Sequence, residues 1–260
     1  MRIVVKVGTS TLAHATGRLN IRHVEELVKV LSDLKNAGHQ VILVSSGAIG
    51  MGVGKLNLPG KPTDMPGKQA AAAVGQCELM YTYDRLFSQY NHTVAQILLT
   101  GEDVDHAERR KNFENTMQRL LELGALPIIN ENDTVATAEI KVGDNDTLGA
   151  IVACSVGAEL LVLLSDIDGL YTADPRQDPG AALIPAVEEV TPEIEALAGG
   201  TGSGLGTGGM ATKLRAAKMV NAAGCDMIIT NGDRPECLYG IVEGKTAGTR
   251  FLARRGGLRS

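Results

Sequence analysis

Apolar positions along the chain switch repeatedly between two periods, which predicts an order of alternating strands and helices. Arg2 to Val7 (RIVVKV) is a short β-rich run that ends at Gly8-Thr9-Ser10. From Asn20 to Gly38 the period becomes helical. Val24, Leu27, Val28, Leu31 and Leu34 share one face, with Asn20 as the cap and Gly38 as the stop. Gln40 to Val44 (QVILV) is again a strand and runs straight into Ser45-Ser46-Gly47-Ala48. Strand, helix and strand over short links form a βαβ unit. The two strands are therefore expected to be parallel, with both glycine-bearing turns at one carboxyl edge of a sheet.

Gly50 to Gly67 (GMGVGKLNLPGKPTDMPG) is expected to be a long loop placed over that edge. Lys68 to Tyr90 reads as a helix whose alanine-rich start, Ala70 to Ala73, has high helix propensity. Thr93 to Leu99 is a strand, and the charged run Glu102 to Lys111 a solvated face. The next helix buries Phe113, Met117, Leu120 and Leu121. Leu126 to Ile129 is a strand that opens into a polar loop, and Thr147 to Val156 is a short helix. Glu159 to Leu164, with its continuous LLVLL core, is expected in the middle of a parallel sheet, buried on both faces. Asp226 to Thr230 and Ile241 to Val242 read as late strands or helix remnants, and Ala253 to Ser260 as a basic, frayed tail. The expected class is α/β.

Composition narrows the functions open to such a fold. The 260 residues allow one large domain or two small ones. A net charge of −5 argues against a general polyanion binder, and the 3% aromatic content with no Trp argues against a stacking platform for nucleic acid. Cys77, Cys154, Cys225 and Cys237 are widely spaced with no CxxC pair, and so read as reduced thiols of a cytoplasmic protein, with Cys77 and Cys154 in the core. The first residues enter a strand at once, so no signal peptide is expected. No apolar run approaches the roughly 18 residues of a membrane span.

Candidate chemistry gathers at the carboxyl ends of the expected strands, where open sheets bind ligands. Asn130, Glu131, Asn132, Asp133, Glu139, Asp144, Asn145 and Asp146 crowd one loop, with Lys141 its only basic residue. Such a cluster needs cations nearby: a metal, a substrate ammonium or a lysine. Lys6 stands inside an apolar strand, where an anion is needed to offset its desolvation. Thr201 to Lys213 (TGSGLGTGGMATK) is a glycine-rich loop entering a helix whose buried face is Met210, Leu214, Ala217 and Val220. The unsatisfied amides of that helix start, with Lys213 in its first turn, favour an anionic neighbour. Ser165-Asp166-Ile167-Asp168-Gly169 turns at the same edge. Two lysines, helix-end amides, a Ser-Ser-Gly turn and clustered carboxylates are what phosphoryl transfer requires.

Other templates fail. Gly244-Lys245-Thr246 has the ending of a Walker A loop, but Tyr239 stands where its leading glycine belongs. Protein-kinase signatures and a GxSxG elbow are absent. Gly204 to Gly209 matches GxGxxG in form but follows no strand. His14, His23, His39, His92 and His106 show no metal-ligand spacing.

Five segments then resemble one known family. They are VVKVGTS at Val4 to Ser10, VSSGAIGMG at Val44 to Gly52, INENDTVATAEIKVGDND at Ile129 to Asp146, LLSDIDGLYTADPR at Leu163 to Arg176 and GTGGMATK at Gly206 to Lys213. In order and over nearly the whole chain they are similar to the amino acid kinase family, the long acidic segment being particular to its glutamate 5-kinases. The resemblance implies a three-layer αβα sandwich around a central, mostly parallel sheet. It implies a single kinase domain over 1–260, with a substrate-binding part over about 1–150 and a nucleotide-binding part over about 151–252. It also implies ATP-dependent phosphorylation of the side-chain carboxylate of L-glutamate, the first step of proline biosynthesis, with Mg²⁺.

By the same resemblance, Lys6 and Lys213 flank the transferred phosphoryl group and Asp146 orients them. Asp133 and Asn145 hold the glutamate amino end, while Ser46 and the neighbouring Gly47 and Ala48 meet the acceptor carboxylate. Lys6, Gly8, Ser165, Asp166 and the segment Thr207, Gly208, Gly209, Met210, Ala211, Thr212 and Lys213 contact the nucleotide. No protein residue is assigned as a direct metal ligand. Proline as feedback inhibitor, a homodimer or homotetramer, and coupling to glutamyl phosphate reductase are expected on the same ground. Many bacterial members carry a further C-terminal domain of the PUA type, which is not expected here. Two alternatives remain open: a family member acting on acetylglutamate, aspartate, carbamate or a nucleotide, and a non-catalytic amino-acid sensor.

Overall fold

The computed structural model describes residues 1–14, 18–136, 142, 144–199 and 209–254. The chain begins with β1 (Arg2–Val7), α1 (Thr9–Leu12), α2 (Ile21–Asn36), β2 (Gln40–Ser45), α3 (Ala48–Lys55) and α4 (Met65–Ser88). It continues through β3 (Val94–Leu99), α5 (Gly101–Asp105), α6 (Ala107–Glu122), β4 (Leu126–Glu131) and α7 (Asn145–Ser155). The last elements are β5 (Leu160–Ser165), β6 (Ala186–Val187), α8 (Pro192–Ala196), α9 (Met210–Ala222), β7 (Asp226–Asn231), α10 (Cys237–Val242) and β8 (Thr249–Phe251).

The strands form one 8-stranded sheet in the order β3-β4-β2-β1-β5-β7-β8-β6. All pairings are parallel except β7 with β8. Parallel strands buried on both faces need helices on both sides, and the alternation of side chains shows two separate cores. Ile3, Val5 and Val7 of β1 join Leu43, Val162 and Ile228 under α2, α4 and α10. Val4 joins Val44, Leu161, Leu163 and Ile229 under α6, α7 and α9. The architecture is the three-layer αβα sandwich. Lys6 shares the parity of Val4 and so points to the side of α7 and α9. It is no edge residue, because β1 pairs with β2 on one side and β5 on the other, opposite Val44 and Leu163.

Local chemistry explains most element ends. Asn20 caps α2 through the amide of His23, and Gly38 leaves the helix with φ of +93°. Asp64 and Pro66 start α4 three residues earlier than alanine content suggests. Asp144 caps α7, accepting from the Thr147 amide at 2.8 Å, so Asn145 and Asp146 fall in the first turn of the helix. β4 extends past Ile129, and Asn130 and Glu131 are buried strand residues. Leu120 and Met210 are only half-buried, and Cys77 is exposed while Cys225 is the buried thiol, pushed up to about 12 by burial.

The stretch expected as a loop over Gly50 to Gly67 is largely helical. Ala48–Lys55 is α3 and α4 begins at Met65, leaving only Leu56 to Asp64 as connection. The glycines serve close packing of these two helices. A Cβ on Gly52 would stand 1.8 Å from the Ala71 carbonyl oxygen, and one on Gly75 1.7 Å from that of Ala48. Two helices touching backbone to backbone exclude even a methyl group.

Gly75→Ala is therefore expected to lower stability by about 2 to 3 kcal/mol, measured by urea unfolding. Gly60→Ala, where a Cβ meets nothing within 4 Å, serves as the neutral control. Equal midpoints for the two variants would contradict the packing argument.

Candidate active site

The carboxyl ends of β1, β2, β4 and β5 open on the same edge of the sheet, and the polar residues of the chain converge there. Lys6 comes from β1, Asp146 from the first turn of α7 and Lys213 from the first turn of α9. The Lys6 Nζ is 2.7 Å from Asp146 Oδ1, and the Lys213 Nζ is 2.9 Å from Asp146 Oδ2. One carboxylate, 1% exposed, thus bridges two lysines that are themselves buried. Thr212 adds a hydroxyl 3.3 Å from Asp146 Oδ2. Burial opposes ionisation of Asp146, but the charges of Lys6 and Lys213 outweigh it and hold the carboxyl below its usual range. Two ammonium groups gathered at one place are suited to an anionic ligand.

Two glycines lie against the Lys6 side chain. A Cβ on Gly149 would lie 3.5 Å from the Lys6 Cβ, so α7 crosses β1 directly over the lysine stem. At Gly8 a Cβ would lie 3.6 Å from the Lys6 Nζ. Helix starts in the fold are of two kinds. α2, α4 and α7 are capped by side chains of Asn20, Asp64 and Asp144. α3 begins at Gly47 with φ of +104° and α9 at Gly209, and neither glycine offers a capping side chain. Their first amides are suited to carboxylate or phosphate oxygens.

Beside the lysines lies a neutral hydrogen-bonded group. The Asn145 amide nitrogen donates to Ser46 Oγ at 2.6 Å and to Asn130 Oδ1 at 3.1 Å. Asn130 in turn donates to Gln76 Oε1 at 2.9 Å and accepts from the Glu131 amide. Below Ser46, the buried hydroxyls of Ser45 and Tyr83 are 2.8 Å apart. Glu131 accepts from the Val142 amide at 2.8 Å, which ties the far end of the acidic loop back to β4.

The profile described as the amino acid kinase family matches residues 1–231. The chain belongs to this family. A relative named glutamate 5-kinase from Clostridium perfringens is 51% identical over 259 residues, covering 98% of this chain and 96% of its own. Another of that name from Clostridium tetani is 56% identical over 251 residues, covering 96% and 94%. The glutamate 5-kinase of Moorella thermoacetica is 53% identical, but the match spans only 67% of its length. Among solved amino acid kinase folds, carbamate kinase from Giardia lamblia bound to AMP-PNP superposes with a TM-score of 0.69 at 18% identity, covering 96% of this chain and 98% of that one. Isopentenyl phosphate kinase from T. acidophilum gives 0.66 at 16% identity, covering 96% and 100%. At such identities these two structures speak for the fold alone.

Within this amino acid kinase fold the structure brings together Lys6, Asp146 and Lys213 in one cluster and Ser46 with Asn145 in another. Gly47 and Ala48 open α3. Ser165 and Asp166 end β5, joined by a 3.1 Å hydrogen bond, and Gly209 to Thr212 lead into Lys213. Asp133 is half-buried in the turn after β4. Thr207, Gly208, Glu139 and Lys141 lie outside the described residues. Sequence reasoning missed Gln76 and the Thr212 contact. Gln76 carried a signal: it is a polar residue on the helical face that also bears Ala72, Leu79 and Tyr83.

The lowered pKa of Asp146 makes its contribution complete above the ordinary carboxyl value of 3.8 and lost as the pH falls through the lower folded value. Asp146→Asn is expected to destabilise the protein by about 3 kcal/mol at pH 7, because two buried lysines lose their partner. The gap should narrow in unfolding titrations only as the pH falls below the ordinary carboxyl value, and close once it passes the lowered folded value. A gap that persists unchanged there would contradict the ion-pair origin.

Proposed function

We propose that the protein transfers the γ-phosphoryl group of ATP to the side-chain carboxylate of L-glutamate. The products are ADP and L-glutamyl 5-phosphate, and the reaction is the first step of proline biosynthesis. The observation that carries this reading is the pair of lysines held on one buried carboxylate beside the neutral Ser46–Asn145 pair, in a chain more than half identical to a glutamate 5-kinase.

Glutamate's side-chain carboxylate is ionised at neutral pH, so its attack on phosphorus needs no general base. The obstacle is repulsion between two anions. Lys6 and Lys213 offset that charge as it spreads over the moving phosphoryl oxygens, and Asp146 keeps both ammonium groups aimed at one place. Ser46 donates to the acceptor carboxylate, with the first amides of α3 beside it. Asn145 and Asp133 hold the substrate ammonium. Ser165, Asp166 and Gly209 to Lys213 meet the nucleotide, Thr207 and Gly208 continuing that segment. The described residues contain no cluster of three metal-binding side chains, and both oxygens of Asp146 face lysines. Mg²⁺ enters this reading as the companion of the ATP phosphates. A homo-oligomer in the cytoplasm, inhibited by proline and serving a glutamyl phosphate reductase, completes the proposal on the family resemblance.

An ADP-release assay with L-glutamate, L-aspartate, acetylglutamate and carbamate tests the reading, and turnover with any acceptor other than glutamate as the best one overturns it. Lys6→Ala and Lys213→Ala should each lower kcat at least about a hundredfold, the scale of losing one preorganised donor; normal turnover in both removes the mechanism. Asp133→Ala should raise the KM for glutamate much more than that for ATP, and a selective ATP defect would contradict its role.

A further inference from the structure

Amide side chains have two ends of opposite polarity, and a chain of them is directional only if one link is anchored to a group that cannot reverse. Here the anchor is backbone. The Glu131 N–H can only donate, and it meets Asn130 Oδ1 at 2.9 Å. Asn130 must therefore turn its NH2 toward Gln76, whose Oε1 accepts at 2.9 Å. The group that Asn145 presents to Asn130 Oδ1 must be its NH2, which also donates to Ser46 Oγ. Two consequences follow. Asn145 keeps its carbonyl oxygen for a cation, and Ser46, having accepted a hydrogen bond from Asn145, has its own hydroxyl hydrogen to donate to an anion. Those are the two ends of a free amino acid.

Gln76 closes this order at its far end. It is 7% exposed on α4, and Asn130, its partner, is 3% exposed, so an unmet Asn130 NH2 would have no water to turn to. The neighbouring Gly75 is the point at which α4 presses on the carbonyl of Ala48, at the start of α3. One step of α4 thus braces both the first turn of α3 and the Asn130–Asn145 pair.

We propose that Gln76 is a positioning residue for the acceptor amino acid: it touches no substrate, and by accepting from the Asn130 NH2 it steadies the orientation that the Glu131 amide sets for Asn130 and Asn145, which favours a free ammonium. This inference rests on the glutamate-kinase reading above. Gln76→Met keeps the side-chain length and removes the acceptor oxygen. Its KM for glutamate should rise about tenfold, the scale of one buried polar group left unmet, while the KM for ATP stays within about twofold. Gln76→Glu restores an acceptor oxygen and should bring the glutamate KM back to within about threefold of the wild type. Should Gln76→Met fail to fold, Gln76→Asn, which withdraws the oxygen by one methylene, is read by the same comparison. An unchanged glutamate KM, equal rises in both KM values, or no recovery in Gln76→Glu would each overturn the proposal. If the wild-type protein itself shows no glutamate-dependent ADP release, the functional reading fails instead, so the two failures are told apart.

Discussion

Burial of Asp146 would by itself disfavour its charge, and it is the contact of Lys6 and Lys213 with its two oxygens that reverses the balance. That one interaction ties together β1, α7 and α9, elements far apart in the chain. It also imposes conditions on its surroundings. Lys6 must have the strand parity that faces α7, and Asp144 must cap α7 so that Asp146 falls in the first turn. Each of these is met by a different part of the sequence.

The two sides of the site solve different electrostatic problems. A moving phosphoryl group carries charge that changes place during the reaction, and fixed ammonium groups with helix-end amides suit it. The side proposed for the amino acid carries, besides the Asp133 carboxylate, a chain of neutral groups: Ser46, Asn145, Asn130 and Gln76. In the proposed reaction, neutral dipoles there would hold the attacking carboxylate less strongly than a lysine, which suits a nucleophile. Their order comes from a backbone amide, and they stand on a helix pair packed closely through Gly52 and Gly75. Rigidity on this side is a matter of close packing, whereas on the phosphate side it is a matter of charge.

Much of this was legible in the residues alone. The apolar runs of β1, β2, β4 and β5 mark themselves by composition, and the parallel pairing of β1 with β2 follows from the helix between them, whereas Asp226 to Thr230 does not separate strand from helix. Lys6 and Lys213 stand out because a cation in an apolar strand, or in the first turn of a helix, is locally unfavourable and so calls for a distant anion. Local reasoning cannot say which anion. Gly50 to Gly67 reads as a loop because glycine weakens an isolated helix; only contact with α4 turns that deficit into close packing. Gln76 reads as one more polar residue of a long helix until Asn130 is seen beneath it. Short-range propensity and periodicity determined the elements and the odd residues within them. The three-dimensional chain decided which odd residues answer one another, because burial and charge pairing act between segments that the sequence keeps apart.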